Sequence, residues 1–178
     1  MSKKANKRRR RQKKSAFKAF FNWLITLCVI VILGFLVREF VAVPVSIAGN
    51  SMMDTYDDGD IVLVTRFDYV FGAPERGDIV LCNVDGRDGN YVKRVVALPG
   101  DYVEITNGML SINGQAVHET YVTYPSSETT SMQLGEDQYM VLGDNRADSY
   151  DSREADIGML SKDNFLGKVR CGIWPMGK

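Results

Sequence analysis

Residues 107–117 read "NGMLSINGQAV", a four-residue run held between two Asn-Gly pairs, Asn107-Gly108 and Asn113-Gly114. Asn-Gly accepts the positive φ angles of a two-residue hairpin turn, so the stretch predicts consecutive tight hairpins and an antiparallel β architecture. Its surroundings extend that reading. "DIVLVTRF" (60–67), "GDIVLCNV" (77–84), "NYVKRVVAL" (90–98), "DYVEITNG" (101–108), "QYMVLGDN" (138–145) and "LGKVRCGIW" (166–174) are short β-branched runs punctuated by Gly, Asn or Asp. No segment after Val37 carries convincing helical periodicity. "REFVAVPVSIAGN" (38–50) reads as extended backbone, with Pro44 confining it to an edge or an irregular strand start. "TYPSSETTSMQLGED" (123–137) is polar and lacks a period, and is expected to be a surface loop. The fold class expected for residues 49–178 is therefore mainly β, with curved sheets or a partly open barrel.

The 178 residues suffice for one ordinary domain and little more. A formal net charge of zero conceals a strong asymmetry. Ten of the 22 Lys and Arg lie between Lys3 and Lys18 with no acidic residue among them, which leaves 12 basic against 22 acidic residues from Ala19 onward. The basic run "KKANKRRRRQKK" suits a nucleic-acid arm or a localisation signal when considered alone, but its neighbour decides otherwise. From Phe20 to Val37, "FFNWLITLCVIVILGFLV" is uncharged, and at ~1.5 Å per residue an 18-residue helix reaches about 27 Å, enough to cross a bilayer. A cleaved signal peptide ending at "SIAG" (46–49) is the rival reading. Against it, the run is longer than a secretory core of about 7 to 15 residues, and Ala48 stands far beyond it. The expected organisation is a cytoplasmic tail (1–19), a transmembrane helix (20–37), an extended connector (38–48) and an extracytoplasmic β domain (49–178), oriented by the basic flank and without nucleic acid as a partner.

Elimination narrows the chemistry. The single histidine, His118, lies in a polar stretch after a hairpin and makes a poor centre for a Ser-His-Asp triad. One His and three dispersed Cys lack metal-ligand spacing, so no metal or cofactor is expected. Cys28 falls in the span, which leaves Cys82 and Cys171 as a possible disulfide pair or, the blander reading, as two buried strand thiols. Lysine remains as a base. Lys93 is enclosed by valines on a predicted strand where Tyr91, Lys93 and Val95 share one face and Val92, Arg94 and Val96 the other. Burial of that face would depress an ammonium pKa of ~10.4 towards a usable base, whereas an edge position would let the side chain snorkel to solvent. Ser51, in "GNSMMDTYDDGD" (49–60), is equally open to two readings, nucleophile or turn residue.

Three blocks in order resolve these alternatives by resemblance: "GNSMMDTY" (49–56), "GDIVLCNV" with "YVKRVVALPGD" (77–84 and 91–101), and "LGDNRADSYDSR" (142–153). Together they resemble the type I signal peptidases of the short Gram-positive kind, membrane-anchored serine proteases with a Ser/Lys dyad. The resemblance implies Ser51 as nucleophile, Lys93 as general base and Ser149 as the hydroxyl that orients the lysine. It implies Met52, Tyr91 and Val92 as substrate-pocket residues, and Asp144, Asn145, Arg146, Asp151 and Arg153 as structural support. With Gly49 where some relatives carry a serine hydroxyl, the oxyanion is expected to rest on backbone donors of Ser51 and Gly49. The implied partners are secretory preproteins cut after an Ala-x-Ala site, and the lipid bilayer. A specialised Ser/Lys peptidase for pilins or a secretion system, or a binding domain without catalysis, are the other readings.

Two positions depart from the family pattern. Asp54 stands where the family's box has proline, and Tyr56 where it has leucine. Aspartate can hold a turn through its own side chain, so the loop geometry is expected to survive, with Asp54 directed to solvent beside Asp57 and Asp58.

Overall fold

A computed structural model of the chain describes residues 17–35 and 42–175. It divides into two units, 1–40 and 41–178. In the first, helix α1 (Phe17–Phe35) is long and apolar enough to cross a membrane, and its side chains are exposed throughout. It begins three residues before the expected start at Phe20. Residues 36–37 of the expected span, residues 1–16 of the basic tail and residues 38–41 of the connector lie outside the described residues.

The second unit is built from two antiparallel sheets. The larger has six strands in the order β1-β2-β10-β3-β4-β9, and the smaller has four in the order β7-β6-β5-β8. The strands are β1 (Val43–Ser46), β2 (Ile61–Thr65), β3 (Ile79–Asn83), β4 (Asn90–Ala97), β5 (Tyr102–Thr106), β6 (Met109–Ile112), β7 (Gln115–Ala116), β8 (Thr130–Gln133), β9 (Met140–Leu142) and β10 (Phe165–Trp174). Among the described residues the only other regular elements of this unit are the single turn α2 (Asp68–Phe71) and a 3-10 turn at Lys162–Asn164.

Both Asn-Gly pairs make the turns expected of them. Asn107, Gly108, Asn113 and Gly114 all have positive φ, at 50°, 78°, 54° and 77°, and they join β5 to β6 and β6 to β7 with Thr106 opposite Met109 and Ile112 opposite Gln115. The two-residue connection leaves no freedom in register, so the smaller sheet is fixed locally.

The larger sheet is bent by irregularities. Register shifts interrupt β10 against β2 between Val169 and Cys171 and between Gly172 and Trp174, and against β3 between Phe165 and Gly167. Each inserts an unpaired residue and increases local twist. The result is a curled, open sheet in which β1 and β4, with three strands between them, line the same cleft.

Three apolar clusters fill the unit. One packs Val80, Cys82, Val95, Val141 and Phe165, a second joins Val96, Val103, Leu110 and Leu142 between the sheets, and a third gathers Ile47, Val62, Val64 and Leu81 beside the cleft. Strand β4 contributes to all three, through Val95, Val96 and the partly buried Val92.

Two expectations are corrected. Residues 130–133, assigned to a loop, form strand β8, with Thr130 opposite Ile105 and Met132 opposite Val103. This is an edge strand whose alternate side chains face solvent, so its polar composition hid it. Cys171 is exposed rather than buried: past Lys168 strand β10 pairs with β2 alone, beyond the end of its pairing with β3, and a register shift sets Cys171 opposite Leu63; Cys82 is buried, and both thiols are free.

Candidate active site

Ser51 stands in a tight turn between β1 and β2. The base of this excursion is closed by two hydrogen bonds, from the Ile47 N–H to the Asp60 carbonyl (2.7 Å) and from the Gly59 N–H to the Ile47 carbonyl (3.0 Å). Within it, the Met53 N–H donates to Asn50 O (3.0 Å), and the N–H groups of Thr55 and Tyr56 both donate to Met52 O (3.0 and 2.8 Å). Met52 is 1% exposed and roots the turn in the protein interior. Gly49, with φ +87°, turns the chain into it, and its N–H donates to Asp58 Oδ1 at 2.8 Å. Of the two backbone donors expected for an oxyanion, that of Gly49 is therefore engaged. The Ser51 N–H makes no hydrogen bond among the described residues.

Asp54 corrects the reading of its turn. Its side chain is exposed, as expected, and makes no hydrogen bond among the described residues, so the side chain does not hold the loop. Its φ is +75°, in the left-handed region. Proline is locked near −65° and has no access to that conformation, so this loop does not share the backbone that a proline would preset.

A second segment clamps the serine turn from the far side of the sheet. The Asn145 N–H donates to Ser51 O at 3.0 Å, and Asn145 Nδ2 donates to Asn50 O at 3.1 Å. The Thr55 hydroxyl donates to Asp144 Oδ2 at 2.5 Å, and Asp144 also receives Arg94 through Nε (2.8 Å) and Nη2 (2.6 Å). Asp144 is fully buried, so these partners are what make its charge tenable there. Between them Gly143 has no room for a side chain. A Cβ at that position would lie 2.2 Å from Ser149 Oγ and 2.4 Å from Ser51 O.

Lys93 lies on β4 opposite Val80 and is 4% exposed. Its Nζ is 3.1 Å from Ser149 Oγ. The Ser149 hydroxyl in turn favours the ionised form of Asp151, which receives the Arg153 guanidinium at 2.8 and 3.0 Å and the Gly143 N–H at 3.0 Å. Burial drives the Lys93 pKa below its ordinary 10.5, opposed mainly by the Asp151 charge and assisted by Arg153. Asp151 is subject to the same desolvation, which raises its pKa, yet the hydrogen bonds from Arg153 and Ser149 outweigh it and hold the carboxyl below 3.8. A lysine whose pKa burial lowers, beside a carboxyl whose pKa hydrogen bonds lower, is the arrangement expected of a base and its anchor. Asp54 is not among the charges that bear most on Lys93.

Ser51 and Lys93 both line a cleft of about 260 Å³ with Val45, Ile47, Met52 and Leu81 on its walls. Asn90, Tyr91 and Val92 form the opposite side, so the three pocket residues implied by the family pattern all face this space. Asp144, Asn145, Asp151 and Arg153 make the contacts above. Arg146, 4% exposed, donates to Gly143 O at 3.0 Å and clasps Glu119.

Sequence reasoning missed several contributors. Thr55, Glu119 and Tyr121 complete the polar network around Asp144 and Arg146, and Glu128 pairs with Arg153 at 2.9 Å. Thr55 lay inside the "GNSMMDTY" block and could have been found there. The other three sit in polar, aperiodic stretches that carry no signal of burial. Among the described residues no group of His, Cys, Asp and Glu is placed to hold a metal.

Comparison with known proteins gives consistent matches. The family model described as signal peptidase, peptidase S26, matches residues 20–174. Signal peptidase IB of Staphylococcus aureus is 33% identical over 180 residues, covering 90% of this chain and 93% of that protein. Signal peptidase I P of Bacillus subtilis subsp. natto is 34% identical over 177 residues, covering 92% and 95%. A crystal structure of a signal peptidase I from Enterococcus faecalis V583 is 27% identical with a TM-score of 0.49, covering 55% of this chain and 97% of that one.

Proposed function

As the chain belongs to the signal peptidase family, peptidase S26, we propose that it is a membrane-anchored endopeptidase that removes signal peptides from secretory preproteins with a Ser51/Lys93 dyad. The observation that carries this reading is the buried, depressed Lys93 held 3.1 Å from Ser149 in the cleft that Ser51 also lines.

The chemistry follows from the hydrogen-bond directions. With the Ser149 hydroxyl donating to Asp151, its oxygen accepts an N–H from neutral Lys93 and leaves the amine lone pair available to Ser51. Lys93 takes the Ser51 proton as Oγ attacks the scissile carbonyl. The negative charge on the tetrahedral oxygen is met by the Ser51 N–H. Collapse expels the mature protein's amine, which takes the proton from Lys93. Lys93 then deprotonates water for attack on the acyl-enzyme, and Ser51 is regenerated. No metal or cofactor enters.

Substrate binding uses the open edge of β1. An extended segment pairs its backbone with Val45–Ala48 and is faced across the cleft by Asn90–Val92. The apolar walls and modest volume favour small side chains, of the Ala-x-Ala kind, on either side of the residue that faces outward. Helix α1 serves as a single-pass anchor, with the basic tail in the cytoplasm and the β unit outside. It holds the site near the bilayer, where tethering raises the effective concentration of an emerging cleavage site.

The direct test is cleavage of a preprotein with an Ala-x-Ala site by the detergent-solubilised full chain, followed by mass spectrometry of the product. Wild type is expected to release the mature protein, and Ser51→Ala and Lys93→Ala to lose at least about a thousandfold in kcat, a typical scale for loss of a nucleophile or base. Full activity in either variant would eliminate the dyad. A wild type that cleaves no preprotein while remaining folded would favour a binding role.

A further inference from the structure

Two arginines beside the site share an unexpected partner segment. Arg94 follows Lys93 on β4 and its side chain leaves the opposite face of the strand; Arg146 follows Gly143 by three residues. Both are largely withdrawn from water, with side chains 12% and 3% exposed. Glu119 and Tyr121, in the irregular chain after β7, meet both. Glu119, also 6% exposed, accepts Arg146 through two parallel hydrogen bonds of 2.6 and 3.0 Å. The Tyr121 hydroxyl donates to the same carboxylate at 2.7 Å, and the Tyr121 ring lies 3.9 Å beneath the Arg94 guanidinium.

These contacts close a ring around the most crowded backbone in the site. Arg94 reaches Asp144, Asp144 is joined covalently to Gly143, and Gly143 O accepts from Arg146. Arg146 returns through Glu119 and Tyr121 to Arg94. Gly143 is the point where Ser51 O and Ser149 Oγ approach to 2.4 and 2.2 Å from the place a Cβ would occupy. A small displacement of Gly143 therefore moves nucleophile and lysine-orienting hydroxyl relative to each other. Burying a bidentate Arg-Glu pair contributes little net stability against an apolar replacement, so its presence here calls for another reason.

We propose that Glu119 and Tyr121 are positioning residues for the dyad: through Arg146 and Arg94 they fix Gly143, and with it the relation of Ser51, Lys93 and Ser149. The inference rests on the proteolytic reading above. It assigns a role in the reaction to a stretch that touches neither substrate nor the reacting atoms. Because the brace acts on alignment and not on the substrate walls, its loss lowers kcat and leaves KM nearly unchanged.

The test uses the solubilised full chain and the same preprotein. The double variant Glu119→Leu with Arg146→Leu removes the ion pair without leaving a buried charge, and thermal melting by circular dichroism reports whether the domain stays folded. The expected result is a folded protein whose kcat falls at least about tenfold while KM stays within about twofold. A folded double variant with wild-type kcat overturns the proposal, as does one whose loss lies entirely in KM. Should that variant not fold, Tyr121→Leu and Tyr121→Phe decide. Loss of kcat in Tyr121→Leu with partial recovery in Tyr121→Phe, which restores the ring under Arg94, supports the brace; wild-type kcat in both overturns it. Wild type that cleaves nothing contradicts the proteolytic reading itself, and is thus distinct from an active wild type indifferent to the brace.

Discussion

At the scale of single residues, the site is governed by proximity more than by strength. Gly143 is indispensable because no substituent fits between Ser51 O and Ser149 Oγ. Gly143→Ala is expected to fold, since flanking Leu142 and Asp144 stay buried in their present partners, but to lose at least about a hundredfold in kcat, as a misplacement near 1 Å costs on that order. Steady-state kinetics with thermal melting on the same sample checks this; wild-type kcat would show that the crowding relaxes freely. Lys93 carries the second residue-scale prediction. Asp151 raises its pKa, so Asp151→Asn should move the acid limb of kcat/KM to lower pH even as the loss of the Ser149 anchor reduces the maximum rate. A limb moved upward would mean that the carboxylate is not what opposes the shift. The roles proposed for Ser51 and Lys93 rest on the three blocks read together. Local composition left Ser51 between turn residue and nucleophile, and periodicity left Lys93 undecided between burial and an edge. The structure places it 4% exposed because both faces of β4 are covered by core clusters, a tertiary fact that alternation along one strand does not contain.

At the scale of elements, the turn that follows Ser51 behaves according to its backbone. Asp54 has φ +75° and an exposed side chain with no hydrogen bond among the described residues. Asp54→Gly and Asp54→Asn are expected to keep activity, with stability changed by no more than about 1 kcal/mol, the cost of a left-handed residue. Asp54→Pro should lose at least about tenfold in kcat, because proline cannot take a positive φ without rebuilding the hydrogen bonds from Thr55 and Tyr56 to Met52 O. An Asp54→Pro variant as active as wild type would show that the loop refolds at no cost. Elements whose signal is local were readable in advance: the Asn-Gly hairpins, and the valine-rich runs that became β2, β3 and β4. Strand β8 was not, because an edge strand with a solvent face needs no apolar pattern. The ring through Glu119 and Tyr121 was not either, since its members are distant in sequence and meet only when β7 and β9 have folded.

At the scale of the whole molecule, charge and modularity make two further predictions. Asp151 and Asp101 are held below the ordinary 3.8 despite desolvation, Asp151 by hydrogen bonds from Arg153 and Ser149, and Asp101 by those from the Leu98 N–H, Arg76 and Asn113. Depressed carboxyl pKa values stabilise the fold above their unfolded value and lose that contribution as pH falls through the folded one. Thermal midpoints should therefore be nearly flat from about pH 7 to about pH 5 and drop steeply below about pH 4. A midpoint unchanged at about pH 2.5 would contradict these assignments. All three apolar clusters lie between Ile47 and Val169, so residues 41–178 should unfold in one cooperative transition without α1. That fragment is expected to keep kcat on a soluble peptide and to lose its advantage on preprotein in vesicles, where tethering supplies the effective concentration. The all-β architecture and the apolar span were readable from patterning; the curl that brings β1 opposite β4 was not, because it arises from bulges in β10 at the far end of the chain.

The central claim is that a lysine whose pKa is lowered by burial performs the base chemistry, and the most direct measurement is kcat/KM for preprotein cleavage from about pH 5 to about pH 11. The account predicts an acid limb with an apparent pKa clearly below about 10.4 that is unaffected in His118→Ala and absent from the residual activity of Lys93→Ala. A rate that keeps rising to about pH 10.4, or a limb near about 6.5 that disappears in His118→Ala, would contradict it.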